Sequence, residues 1–372
     1  MDISRIDKNF CTGPVDEEGF AFQNVKEAPF SIEGLAWYRE NGGAFYRLPK
    51  TMTEQEINPG ALSLANHTSG VCVRFRSDSP ELKLRATLAY GCDMNHMPRA
   101  GSMGFDSFRR APGEKDLLYN RTIQPSPGQT EVLAVIGLNR ENLLCDWVVD
   151  FPLYGGVESV EIGLKEGSVL LPPKPHKVPD PVLFYGSSIT QGGCASRPGN
   201  AYSSMLCRKV DAEQINLGFS GSGKGEIAVA KAIAKLKLSV FVMDYDHNAP
   251  SPEHLQATHE PFFRAIREAQ PDLPVIFMSM CDLRTFHLHT GKTYAPARRE
   301  IIRRTWQNAV AAGDRNVYFI DGETLFGRKM HDACTVDGCH PNDLGFYRMY
   351  KHVLPVLKAS LKTAKEARRS HE

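Results

Sequence analysis

An aspartate and a histidine three positions apart, Asp337 and His340, lie in the turn-rich run Thr335-Val336-Asp337-Gly338-Cys339-His340-Pro341 near the end of the chain. That spacing lets the carboxylate hold the imidazole Nδ1–H, so that Nε2 is free to take a proton from a hydroxyl. A hydroxyl suited to that base stands at Val182-Leu183-Phe184-Tyr185-Gly186-Ser187-Ser188-Ile189-Thr190-Gln191-Gly192, where an apolar run stops at Gly186 and releases two serines into a glycine-flanked turn. Strand ends of this kind are where α/β sheets present ligand-handling groups. Position 190 is Thr, so this is not the G-x-S-x-G elbow, and turn formation alone also accounts for Gly and Ser here.

Two further stretches could stabilise an oxyanion. Asn216-Leu217-Gly218-Phe219-Ser220-Gly221-Ser222-Gly223-Lys224-Gly225-Glu226 is a glycine-rich turn opening a helix, which exposes backbone N–H groups to an anion. Its spacing fits neither phosphate-binding fingerprint, whereas an oxyanion needs only one well-aimed N–H. Met243-Asp244-Tyr245-Asp246-His247-Asn248-Ala249-Pro250 follows a strongly apolar run and offers the Asn248 amide as a donor. Turn and capping duty is the competing reading for Asp244, Asp246 and Asn248. A metal site would need a second set of ligands that the cluster lacks, and Cys334 with Cys339 has no partner pair, so no metal or cofactor is expected.

The elements that must carry these stretches can be read from periodicity. Residues 71–75, 82–88, 131–135 and 157–164 form short β-rich runs, several alternating apolar and polar, as expected of antiparallel strands in an all-β sandwich or jelly roll. The segment 95–106 carries His96, Arg99 and Asp106 in an irregular glycine-rich setting and reads as a loop, either touching a ligand or simply solvated. A proline-dense connector over 170–181 separates this half from a second pattern. There, apolar strands at 182–185, 214–217, 240–245, 275–280 and 317–320 alternate with amphipathic helices at 227–236, 254–269, 298–311 and 346–362, the rhythm of a parallel sheet covered on both faces. Pro355 predicts a kink or split in the last helix, and the charged end from Thr363 onward predicts fraying. The expected domains are therefore residues 1–175 and 176–372.

The chain has 372 residues and a formal net charge of +1, with Lys and Arg nearly balancing Asp and Glu. That balance argues against a nucleic-acid surface or a polybasic membrane patch. The first eight residues lack a signal-peptide core, and no stretch nears the roughly 20 apolar residues of a membrane span. The nine cysteines are odd in number and have no C-x-x-C spacing, so they read as reduced thiols. A soluble, cytoplasmic protein acting on a small or neutral molecule is expected.

Taken together, the four stretches resemble the SGNH (GDSL-type) hydrolase superfamily, whose blocks are named for Ser, Gly, Asn and His in that chain order. Gly186-Ser187-Ser188-Ile189-Thr190 is similar to the first block with Ser188 as nucleophile, and Asn216 to Gly221 to the second, with Gly221 supplying an N–H. Asn248 is similar to the third-block amide, and Asp337-Gly338-Cys339-His340-Pro341 to the D-x-x-H-P block. The resemblance spans residues 182–357. It implies a flavodoxin-like α/β/α catalytic domain, and the first half resembles the β-sandwich module of two-domain members that often act on acylated carbohydrates. Two departures stand out: Ser187 replaces the usual Asp of the first block, and the third block has Asp246 and Ala249 where Gly and Asp are usual. His247 is then a possible substitute donor.

The resemblance implies an acyl-enzyme route in which Ser188 attacks, His340 acts as base and then acid, and Asp337 orients the ring. The N–H groups of Ser188 and Gly221 and the Asn248 amide would hold the oxyanion. Arg284, His287 and His289, with His96 and Arg99, could form a polar rim suited to a sugar, whereas a lipid would need a continuous apolar groove. Deacylation, with acetyl as the expected acyl group, of a carbohydrate or glycoside is the expectation. An acyltransferase with the same triad, or a carbohydrate-binding protein with a vestigial one, are the alternatives.

Overall fold

The computed structural model describes residues 15–281 and 294–371; of Tyr294 and residues 367–371 only the backbone is described. Contacts divide the chain into two units. The first takes in Met1–Tyr46, Asn66–Pro175 and Ser196–Gly199, and the second Arg47–Ala65, His176–Ala195 and Asn200–Glu372. The division is thus not a single cut near residue 175. Arg47–Ala65 joins the second unit because its buried polar groups find their partners there, as described below.

The first unit is a sandwich of two antiparallel sheets. Its strands are β1 (Phe20–Asn24), β2 (Ser31–Glu33), β3 (Cys72–Ser77), β4 (Glu81–Leu88), β5 (Phe105–Arg110), β6 (Leu118–Ile123), β7 (Glu131–Leu138), β8 (Cys145–Asp150), β9 (Val157–Lys165) and β10 (Leu170–Leu171). One sheet runs β1-β9-β4-β7 and the other β10-β3-β8-β5-β6, with β2 paired to β3. Inward residues of both sheets, among them Val73, Phe75, Leu82, Leu84, Trp147 and Ile162, share one core, which is why the strands alternate in the sequence. The segment 95–106 is not a loop throughout. Arg99–Ser102 forms a helical turn and Phe105-Asp106 begins β5. Asp106 is fully buried, pairs with Arg197 at 2.5 Å and accepts the Gly199 N–H, so its charge is neither solvated nor offered to a ligand.

The second unit is a five-stranded parallel sheet of β11 (Val178–Gly186), β12 (Ala212–Gly218), β13 (Val240–Asp244), β14 (Val275–Met278) and β15 (Val317–Ile320), in the order β12-β11-β13-β14-β15. This 2-1-3-4-5 order is that of the flavodoxin-like fold, which places ligands outside the carboxyl end of its first strand, where the direction of winding reverses. Residues 182–185, 240–243 and 275–278 are all fully buried, the unbroken apolar runs of strands covered on both faces. Helices Ile227–Ile233, Pro252–Ala269 and Tyr294–Ala311 pack in series, and Tyr202–Val210 packs with Asp343–His371.

Two local expectations change. Pro179 and Pro181 do lie within β11, but at the register shift between Val178 and Val182, where missing N–H groups break no regular ladder. Asp343–His371 is one helix through Pro355 and through the charged end, neither split nor frayed.

Candidate active site

β11 delivers its serines through a turn that only glycine allows. A β-carbon on Gly186 would collide with the Thr190 side chain and the Asp244 carbonyl. The two serines then part company. Ser187 is fully buried and its Oγ accepts the Ile189 N–H, capping the short helix Ser188–Gln191. Ser188, 7% exposed, has its Oγ 2.9 Å from His340 Nε2.

The histidine is held by a turn stitched to itself. Thr335 and Pro341 form an antiparallel bridge, and the Val336 N–H donates to the His340 carbonyl. Asn342 then anchors the turn: its amide donates to Ala333 O and its Oδ1 accepts the Gly345 N–H in the first turn of the next helix. Within the turn Asp337 Oδ1 accepts the N–H groups of Cys339 (3.0 Å) and His340 (2.7 Å), while Oδ2 accepts the His340 Nδ1–H at 2.7 Å. Partial burial would raise the Asp337 carboxyl, but the His340 ring and these two amides hold it below its ordinary value. The carboxylate therefore stays ionised and fixes the ring orientation, so Nε2 can accept the Ser188 proton.

The glycine-rich turn after β12 has most of its amides spoken for. Phe219 N–H donates to Gly186 O, Ser220 N–H to Gln191 Oε1, and those of Ser222 and Gly223 to Phe219 O. The N–H of Gly221, a residue with φ of +67°, has no hydrogen-bond acceptor among the described residues, and neither does that of Ser188. Asn248 Nδ2 donates to Phe219 O at 2.8 Å. One amide hydrogen is taken by that bond and a second is left. The gap in the third block is thus partly explained, since Phe219 O ties the amide back to the second.

His247 has Nε2 3.8 Å from Cys281 Sγ, and burial, aided by the charges of His340 and Arg298, pushes its pKa down to about 3. It is a neutral ring, not a cation. Asp244 accepts from Tyr202 (2.9 Å) and Thr190 (3.0 Å), and Asp246 accepts the Met280 N–H, so both brace the strand ends. His96 and Arg99 belong to the β-rich unit, where His96 approaches Asn95 and Arg99 pairs with Asp93 at 2.6 Å. Arg284, His287 and His289 fall outside the described residues. Sequence reading missed Gln191 and Arg47. Gln191 is fully buried inside the first block, and an amide side chain fixed there, one turn from the serine, was a signal available in the sequence.

Comparisons with known proteins match the chain in two consecutive parts. Residues 179–358 match the GDSL-like lipase/acylhydrolase family, and residues 20–170 match the N-terminus of SGNH-hydrolase-type esterases. A structure described as a GDSL-like lipase from Bacteroides ovatus ATCC 8483 aligns with a TM-score of 0.81 and 28% identity, covering 92% of this chain and 98% of that one. A salicylyl-acyltransferase from a tetracycline biosynthetic pathway aligns at 0.72 and 19% identity over 92% and 98%. A family two carbohydrate esterase from Clostridium thermocellum, in complex with cellohexaose, aligns at 0.58 and 14% identity over 79% and 94%. A search of curated proteins found no match. No helix among the described residues is long and apolar enough to cross a membrane. With both halves matched in order, the chain belongs to the SGNH (GDSL-type) hydrolases as a two-domain member with an N-terminal β-sandwich module.

Proposed function

We propose that this protein is a serine esterase that removes acyl groups, acetyl above all, from a carbohydrate or glycoside. The observation that carries the reading is the unbroken line from Asp337 Oδ2 through the His340 ring to Ser188 Oγ, at 2.7 and 2.9 Å. Ser188 attacks the ester carbonyl as His340 takes its proton. The tetrahedral oxyanion is held by the N–H groups of Ser188 and Gly221 and by the free hydrogen of the Asn248 amide. His340 returns the proton to the leaving alkoxide, and water attacks the acyl-enzyme by the same route in reverse. The likeness to carbohydrate esterases supports the sugar, and it is a likeness of fold.

The test is a panel of acetylated sugars and p-nitrophenyl esters of graded acyl length, run with and without added acceptor alcohol. Short acyl chains on sugars should be the best substrates, and Ser188→Ala should abolish turnover. A Ser188→Ala protein with undiminished activity would refute the nucleophile. Acyl transfer to the alcohol at the expense of hydrolysis would replace esterase by acyltransferase.

A further inference from the structure

Arg47 is 1% exposed, yet it carries a guanidinium that must be satisfied wherever it is buried. It is satisfied by backbone. Nη1 donates to Asn216 O (2.9 Å) and Gly218 O (2.8 Å), Nη2 donates to Leu64 O (2.8 Å), and the guanidinium carbon sits 4.8 Å from the centre of the Phe219 ring. β12 is the edge strand of the parallel sheet. Asn216 and Gly218 are alternate residues at its carboxyl end, so their carbonyls fall on one side of the strand. A guanidinium here takes the place of a neighbouring strand for the last two edge carbonyls before the oxyanion turn.

The same chain segment grips the far end of the turn. Asn58 caps helix Pro59–Leu64 through Oδ1, and its Nδ2 donates to Ser222 O at 2.8 Å and to Glu226 Oε1. Gly221 lies between these grips, held from Gly218 and Phe219 on one side and from Ser222 on the other. An N–H that must meet a transient charge gains nothing from flexibility, and its free amide stands in a turn fixed at both flanks.

We propose that Arg47 and Asn58 are positioning residues for the oxyanion site, acting through the backbone of residues 216–222 to aim the Gly221 N–H. Neither touches substrate. The proposal rests on the serine-esterase reading, and its test separates the two. Arg47→Lys, Arg47→Met and Asn58→Ala are prepared, their competent fraction is counted by fluorophosphonate labelling of Ser188, and kcat per labelled site is measured on an aryl acetate. Affinity for an alkyl boronic acid, whose adduct with serine mimics the tetrahedral intermediate, is measured in parallel.

A loss of about 10- to 100-fold in kcat is expected for the Arg47 variants, the scale of an ångström-sized misplacement. KM should stay within about twofold, and boronate affinity should fall in step with kcat. Asn58→Ala should show the same pattern, more weakly. A merely structural role would lower the labelled fraction or the melting temperature and leave kcat per site and boronate affinity at wild-type values, and that result overturns the proposal. If the Arg47 variants fail to fold, Asn58→Ala decides by the same criteria. A wild-type protein that neither labels at Ser188 nor loses activity in Ser188→Ala would overturn the esterase reading and this inference together. Labelling and turnover that survive with normal kcat per site in these variants would overturn this inference alone.

Discussion

Two acidic and histidine-bearing stretches lie at the carboxyl edge of the same sheet, and their environments shift their carboxyl groups in opposite directions. In Asp337-Gly338-Cys339-His340 the carboxylate is about one-third exposed, receives three N–H groups and is held below its ordinary pKa. In Asp244-Tyr245-Asp246-His247 the first three side chains are buried and His247 is partly so. Asp244 is pushed up to about 8, by burial first and by Asp246 second. Burial raises Asp246 to about 7, despite the Met280 N–H and the Arg298 charge. His247 falls to about 3. Residue type alone would have made either stretch a candidate acid–base pair. Access to water and the count of donors make one a charge that can orient an imidazole and the other a buried pair of carboxyls that hold their protons to higher pH beside a neutral ring.

The hardest way to break that contrast is to remove the histidines one at a time. His340→Ala should lower kcat on an aryl acetate by about 10⁴ to 10⁶, because the nucleophile then lacks its base. A loss below tenfold in steady-state assays would mean that another group takes the Ser188 proton and that the exposed pair is decorative. Next in size is the contest for the third oxyanion donor. Asn248→Ala should cost about 10² to 10³ in kcat, and His247→Ala less than about tenfold, since the neutral ring is turned toward Cys281. Reversal of that order would move the donor role to His247 and give the buried stretch a direct part in the chemistry.

The unequal legibility of these features has a physical source. Ser188, Gly221, Asn248 and His340 could be nominated as candidates from the sequence because acyl transfer restricts the residue types that can serve it, and a parallel sheet gathers successive strand ends at one edge. The parallel strands were legible as buried apolar runs and the sandwich strands by alternation. Arg47 was not legible. Its partners are the carbonyls of Asn216 and Gly218, 169 and 171 positions away, and every residue has a carbonyl. Asp106 was misread as a loop residue for a related reason: its neutralising partner, Arg197, is 91 positions away and in no shared local pattern. Ser187 and Ser188 look alike in sequence. The N-cap bond to Ile189 separates them, and that bond depends on backbone angles set by the strand–turn junction.

The last test is also the most direct reading of the contrast, because it uses stability and not turnover. A buried carboxyl raised from 3.8 to about 8 is protonated in the native state across a range where the unfolded chain has released its proton. The native state then binds more protons than the unfolded one, so stability must fall as pH rises from about 4 to about 8, by up to about 1.4 kcal/mol per pH unit for each such group. Asp244→Asn cannot ionise and should flatten that decline by close to one proton, measured from urea midpoints across this range. Asp337 has the opposite sign. Its depressed pKa gives stability that is present above its unfolded pKa near 4 and lost as pH falls through the native value, so Asp337→Asn should change the slope on the acid limb alone. An Asp244→Asn protein with an unchanged slope between pH 4 and 8 would mean that the buried carboxylate is charged after all, stabilised by Tyr202 and Thr190. The two stretches would then differ in geometry but not in electrostatics.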